Sequence, residues 1–270
     1  MQILIATSGS AESDLAVRLG GVVCQMVGGT LTLLTVIKQE AERTQAEAIL
    51  VRAKTLLGKN VPVETQIHTG QTAEEIVHEA VMNRHDLVIM GEQKHLGLAR
   101  RWLPPTAERV VAQMPCPVLI ARGEIRPLHK VLVCESGRDP SLLNRLITHL
   151  TPLLKKVEEL TALHVMSQIA AAPGVPGWEL RASADELIER HTIEGNLLEA
   201  DLARLAELNV RLEAKVRHGL VVREILAEMQ SGDYDMVVIG AHQGKGWERF
   251  LLDDLAHELI HHADRPMLVV

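Results

Sequence analysis

Aromatic residues are almost missing from this chain: three tryptophans, one tyrosine and one phenylalanine in 270 residues. So thin a supply leaves no stacking platform on which unpaired bases could be read. A surplus of positive charge is missing too. Lys and Arg number 28 against 35 Asp and Glu, a net charge of −7, and a nucleic-acid-binding face needs the opposite balance. Nucleic acid is therefore excluded as a partner. Cysteine is scarce: Cys24, Cys116 and Cys134 are odd in number, show no C-x-x-C spacing and have apolar flanks. That excludes a disulfide framework and points to small buried thiols in a reducing compartment. No apolar run approaches the roughly 20 residues of a membrane span. The apolar segment Gln2-Ile-Leu-Ile-Ala6 has neither a basic region before it nor a small-residue cleavage site after it. The expectation is a cytoplasmic protein with no membrane partner.

What is present is a repeat. Met236-Val-Val-Ile239 is too short and too β-branched for a buried helix and reads as a parallel strand covered on both faces. A loop with Gly240, Gly244 and Gly246 follows, then a helical pattern. The same order occurs earlier, where Asp86-Leu-Val-Ile-Met-Gly91 is followed by a loop, by Ala107-Glu-Arg-Val-Val111 and by Pro115-Cys-Pro-Val-Leu-Ile120. Gly91 and Gly240, Pro117 and Pro266, and Gly70 and Gly219 each stand 149 positions apart. Three landmarks at one spacing imply a duplicated domain.

Taken in order, the first unit shows strands over 3–6, 30–37, 61–67, 87–90 and 118–121, with helices over 13–27, 40–57, 72–83 and 106–113. Pro62 suits the third strand to an edge. Alternation of strands and helices implies parallel pairing with right-handed crossovers. The fold class is α/β: two doubly wound parallel five-stranded domains in tandem, the first over 1–123 and the second over 129–270. The second unit opens with Lys130-Val-Leu-Val-Cys134 and repeats the turn Thr7-Ser-Gly9 as Glu135-Ser-Gly137, now only 128 positions on. It thus carries 21 extra residues, placed after its second strand at 160–165. They comprise an irregular stretch at 170–177 and helix over 183–208, with Gly195 as the expected break. This insertion is expected to cover the sheet, with a lid or partner role as the alternative.

These two units, each with a glycine-bearing loop between the fourth strand and the last helix, resemble the universal stress protein family over nearly the whole chain. Ala107-Glu-Arg109 and Pro115-Cys-Pro-Val-Leu119 match the family's tail nearly word for word. The resemblance implies strand order 3-2-1-4-5 in each domain and a tandem member. It also implies a phosphate loop of the form Gly-x-x-Gly, a spacer, then Gly-Ser or Gly-Thr, with an Asp after the first strand against adenine. Glycines there let N–H groups approach phosphate, and a hydroxyl at the helix start adds a donor. This sequence departs from that pattern twice. In the first unit Lys94 replaces the second glycine and Pro104-Pro105 replaces Gly-Ser, removing two N–H donors and a hydroxyl. In the second, Gln243 replaces the glycine and Asp253-Asp254 brings two carboxylates that repel a triphosphate. Ser8 and Ser136 stand where the adenine-side Asp belongs.

ATP in the family's usual mode is therefore not expected, nor is any other cofactor. The expected function is a regulatory or binding protein of the stress response without catalysis. Its partner would be a protein or a small ligand; the alternative is an ATP-binding member with slow ATPase activity. A ligand crevice is expected at the carboxyl ends of the first and fourth strands, lined in the second unit by Ser136, Gly137, Gly240, His242 and Lys245. The counterpart in the first unit has Ser8, Gly9, Gly91 and Lys94. The apolar strands at 118–121 and 267–270 are expected to meet across a pseudo-two-fold, giving an intramolecular pseudo-dimer, with a homodimer as the alternative.

His257-Glu-Leu-Ile-His261 has the H-E-x-x-H form of zinc peptidases. The corresponding helix of the first unit has no histidine, and a peptidase also needs a substrate cleft and a third ligand; Asp254 and His262 close by leave an adventitious surface site as the alternative, and no metal site is expected. His68, His78, His85 and His218 read as scattered structural or exposed histidines. Glu74 and Glu75 read as a solvated helix face.

Overall fold

The computed structural model describes residues 1–57, 61–92, 106–135, 142–166, 177–240 and 254–270. Contacts divide them into two compact units. One is Met1–Pro127 with Asp264–Val269; the other is Leu128–Gly240 with Asp254–Ala263 and Val270.

The first unit runs β1 (Gln2–Ala6), α1 (Ala11–Val27), β2 (Thr30–Ile37), α2 (Arg43–Leu57), β3 (Val63–Thr69), α3 (Thr72–Met82), β4 (Leu87–Gly91), α4 (Thr106–Gln113) and β5 (Val118–Ala121). All pairings among these strands are parallel, in the order β3-β2-β1-β4-β5. α1 packs with α2 and α3 with α4, one pair on each face. That is why β4 and β5 are apolar at nearly every position and buried along their length. β3 has β2 as its one neighbour in this unit and alternates Val-Glu-Thr-Gln-Ile-His-Thr, as an edge strand does. Pro62 lies just before it, where no ladder N–H is needed, and its carbonyl accepts from Leu31 N at 3.2 Å. α1 begins at Ser10, whose hydroxyl accepts from Ser13 N, and ends at Gly28 in the left-handed conformation.

The second unit runs β6 (Lys130–Glu135), α5 (Leu142–Leu154), β7 (Glu159–Met166), α6 (Ala184–Glu189), α7 (Ile193–Leu205), β8 (Arg211–His218), α8 (Val221–Ser231), β9 (Met236–Ile239) and α9 (Asp254–His262). Its parallel pairings give β8-β7-β6-β9. The last strand of the chain is β10 (Met267–Val269), whose contacts group it with the first unit. There it pairs antiparallel with β5, Leu268 opposite Leu119. The expected meeting of the 118–121 and 267–270 strands is thus present.

The inserted helical stretch breaks earlier than expected. α6 ends at Glu189 with Arg190 as its C-cap, His191 takes a left-handed φ of 52°, and Thr192 caps α7 by accepting from Gly195 N at 3.0 Å. Gly195 is inside α7. Its lack of a side chain serves packing: a Cβ there would lie 2.0 Å from Leu187 O of α6. α6 and α7 lie against β8, and α7 also against β7, so the described part of the insertion covers the sheet. α5 carries Pro152 internally, and Leu150 beside it is kinked out of helical geometry.

Candidate functional site

In the first unit a cleft of ≈ 160 Å³ opens at the carboxyl ends of β1, β2 and β4. Its floor is apolar, from Leu34, Val36, Ile76 and Met90, and its walls carry the hydroxyls of Thr7, Ser8, Ser10, Ser13, Thr72 and Thr106. Three of these stand at the first turns of α1, α3 and α4, which aim their N-terminal dipoles at the same space. The hydroxyls on the β1–α1 turn are locked together. Thr7 Oγ1 donates to Ser13 Oγ at 3.3 Å, Ser13 Oγ donates to Ser10 O at 2.9 Å, and Gly9 N donates to Thr7 Oγ1 at 3.4 Å.

Gly91 ends β4 at this cleft, but the space beside its Cα is filled by backbone. A Cβ would lie 2.1 Å from Glu12 O and 2.8 Å from Ser13 N, in the first turn of α1. Glycine is needed here for close strand–helix approach. The next residue, Glu92, lines the cleft, is buried, and is ion-paired with Arg122 just beyond β5. Burial pulls the Arg122 guanidinium below its usual value. A carboxylate thus stands directly after the glycine where a phosphate loop would begin.

The universal stress protein family model matches residues 1–122 and again 128–270, nearly the whole chain in two copies. The chain belongs to the universal stress protein family. A universal stress protein of Mycolicibacterium smegmatis is 23% identical over 99% of this chain and 96% of its own length. One from Methanocaldococcus jannaschii is 39% identical over 62 residues, which is 23% of this chain and 36% of the relative. A crystal structure of an Archaeoglobus fulgidus universal stress protein superposes with a TM-score of 0.73 at 17% identity, covering 99% of this chain and 95% of that one.

In the second domain of this universal stress protein, the expected crevice residues Ser136, Gly137, His242 and Lys245 lie outside the described residues. So do Lys94, Pro104 and Pro105 of the first. Gly240 follows β9 and has side chains rather than backbone beside it. A Cβ there would meet the Arg145 guanidinium at 3.2 Å and Leu142 Cδ1 at 3.9 Å, both side-chain atoms. Glu135, in the place of Thr7, is buried and accepts from Leu143 N at 3.3 Å. Its carboxylate therefore occupies the N-terminal turn of α5, where an anionic ligand group would be held. Among the described residues the buried Arg145 Nε meets no hydrogen-bond partner, and burial pulls the guanidinium below its usual value.

Asp201 on α7 escaped the sequence reading. It is fully buried and pairs with Arg204 at 3.0 Å through one oxygen, and among the described residues the other oxygen has no hydrogen bond. Burial, with the charge of Glu135 added, pushes its carboxyl from 3.8 up to about 6. For an acid raised in this way, ionisation works against folding: the penalty grows as pH rises from about 4 to 6 and is full above that. D201N is expected to stabilise the protein by about 2 kcal/mol at pH 8 and by almost nothing below pH 4. Urea denaturation at both pH values checks this; equal effects at the two would remove ionisation as the cause.

The cysteines are chemically quiet, as their flanks suggested, although Cys24 alone is buried and Cys116 and Cys134 are half-buried. Burial raises all three thiols, Cys116 to about 12. The H-E-x-x-H run lies on α9, where Glu258 and His262 line a groove against Leu220, just before α8, and Arg223 and Leu226 of α8. Among the described residues no three His, Cys, Asp or Glu side chains converge in a metal-binding group, and no helix is long and apolar enough to cross a membrane.

Proposed function

We propose that this universal stress protein is a non-catalytic binding protein whose two phosphate loops are degenerate, and that its small-ligand site is the first-unit cleft. The observation that carries this reading is a buried carboxylate beside each cleft: Glu92 directly after Gly91 in one unit, and in the other Glu135 at the end of β6, whose carboxylate accepts from Leu143 N in the first turn of α5. The residues present do not suit a triphosphate. Gly91 has α1 backbone against it rather than an open cradle, and the buried Glu92–Arg122 ion pair stands directly after it, so an entering phosphate would have to displace Glu92 from the guanidinium. The locked hydroxyls over an apolar floor favour a small, uncharged, hydroxyl-bearing molecule, held by hydrogen bonds rather than ion pairs. In the second unit the crevice at Gly240, with Ser136, Gly137, His242 and Lys245, is a second place for a neutral or cationic ligand. Arg145 beside Gly240 narrows it. Regulation of a stress response through that ligand or a protein partner, in the cytoplasm, completes the proposal.

Ligand that binds the native state must raise its stability by mass action. Millimolar MgATP is accordingly expected to shift Tm by less than about 1 °C. Mass spectrometry of small molecules released on denaturing the purified protein is expected to find an uncharged compound. A dose-dependent rise in Tm with MgATP would instead support the ATP-binding alternative.

A further inference from the structure

The duplication supplies an internal comparison at one place outside the cleft. In the second unit Arg217 on β8 lies between two carboxylates of α8: its Nε donates to Glu228 at 2.6 Å, and a terminal nitrogen reaches Glu224 at 3.5 Å. The positions 149 earlier hold His68, Glu75 and Glu79. The carboxylate pair is kept and the permanent cation is replaced by imidazole. His68 Nδ1 is 3.2 Å from Glu75 Oε2, and its Nε2 is 3.2 Å from Glu79 Oε2. An imidazole facing an acceptor at both nitrogens is fully satisfied only with both protons on. The neutral ring must turn a lone pair toward one carboxylate.

We propose that His68 is a proton-operated clamp that holds α3 against β3 in the first unit, while Arg217 holds α8 permanently in the second. α3 contributes Thr72 and Ile76 to the cleft, so releasing the clamp loosens one wall of it; this last consequence rests on reading the cleft as a ligand site. The neighbouring charges are few. Glu75 and Glu79 face His68 from α3, and Glu79 is further held by Asn83 Nδ2 at 2.8 Å. Glu64 shares that side of β3 by strand alternation. On β2 the register neighbour is uncharged Val36. α2 packs on the opposite side of the sheet. At the turn into β4, His85 is buried beside Glu79 and Asp86, and burial pulls it below the ordinary histidine value. Arg109 of α4 reaches Glu74 at 3.7 Å, outside the clamp. Histidine is the side chain that loses its charge near neutrality; the clamp is therefore closed in mild acid and released as pH rises.

Hydrogen exchange on the full chain tests this without any ligand. Protection factors of α3 amides are expected to fall about three- to tenfold from pH 5.5 to pH 8, the scale of one partly exposed ion pair. Those of α8 should hold steady. H68R, which copies the second unit, should remove the pH dependence of α3; H68Q should leave α3 weakly protected at both pH values. Wild-type α3 protection that ignores pH would overturn the clamp. So would a pH dependence that persists in H68R, because the sensor would then lie elsewhere, or H68Q protection equal to wild type at pH 5.5. Since no ligand is involved, a failure here is separate from a failure of the cleft assignment, which the released-molecule experiment decides.

Discussion

G91A is expected to destabilise the protein by about 3 kcal/mol or more, whereas G240A, the same repeat position in the second unit, is expected to change stability by less than about 1 kcal/mol. The asymmetry follows from what each new Cβ meets. At Gly91 it lies 2.1 Å from Glu12 O and 2.4 Å from Glu12 C. These are backbone atoms in the first turn of α1, and moving them displaces the helix that carries Ser10 and Ser13 into the cleft. At Gly240 the nearest atom is the end of the flexible Arg145 side chain at 3.2 Å, which can rotate away. Urea denaturation of the two variants side by side measures the difference. Equal losses would mean that both glycines serve one purpose, and would put the close β4–α1 approach in error.

The second large effect belongs to Glu228. Removing its charge as E228Q is expected to lower stability by about 3 kcal/mol at pH 7, the usual result when a buried ionic partner is taken away. This carboxylate is buried in the second unit and accepts from Tyr234 Oη at 2.7 Å, Arg217 Nε at 2.6 Å and Lys215 Nζ at 3.1 Å. Burial alone would raise its pKa, but these hydrogen bonds outweigh burial and hold it below the ordinary carboxylate value. Tyr234 responds in the opposite sense: burial first, then the neighbouring Glu228 charge, pushes its hydroxyl up to about 12. A carboxyl with a depressed folded value stabilises the fold above its unfolded value, and that contribution is lost as pH falls through the folded value. The gap between wild type and E228Q is thus expected to close in acid, below about pH 4. A gap of the same size at pH 3 and pH 7 would assign the loss to packing rather than to charge.

Much of the architecture was legible because it rests on local chemistry. β2 at 30–37, α4 at 106–113, β5 at 118–121 and β9 at 236–239 stand at the residues the pattern indicated. A strand covered on both faces must be apolar throughout, and glycine or proline punctuation bounds it. The 149-residue repeat required only counting. Gly195 was misread for a related reason: in sequence, a glycine that breaks a helix and a glycine that lets a second helix approach look alike. His191 and Thr192, which make the actual break, carry only a weak local signal. Nor does sequence alone show that Glu75, on a helix with basic neighbours, turns inward to His68 rather than out to solvent.

The chain by itself determined the duplicated α/β domains, the family and the departures from the phosphate motif, since these depend on residue identity at fixed spacing. The tertiary structure decided which charges are buried and what they face. Glu92, Glu135, Asp201 and Glu228 are unremarkable acids in a chain with 35 of them. Their different fates come from desolvation and from partners as far apart in sequence as Glu135 and Asp201. The grouping of β10 with the first unit had the same character. Met267, Leu268 and Val269 specify a buried strand, but the edge that buries them is set by the pairing of Leu268 with Leu119, a contact across 149 residues of chain.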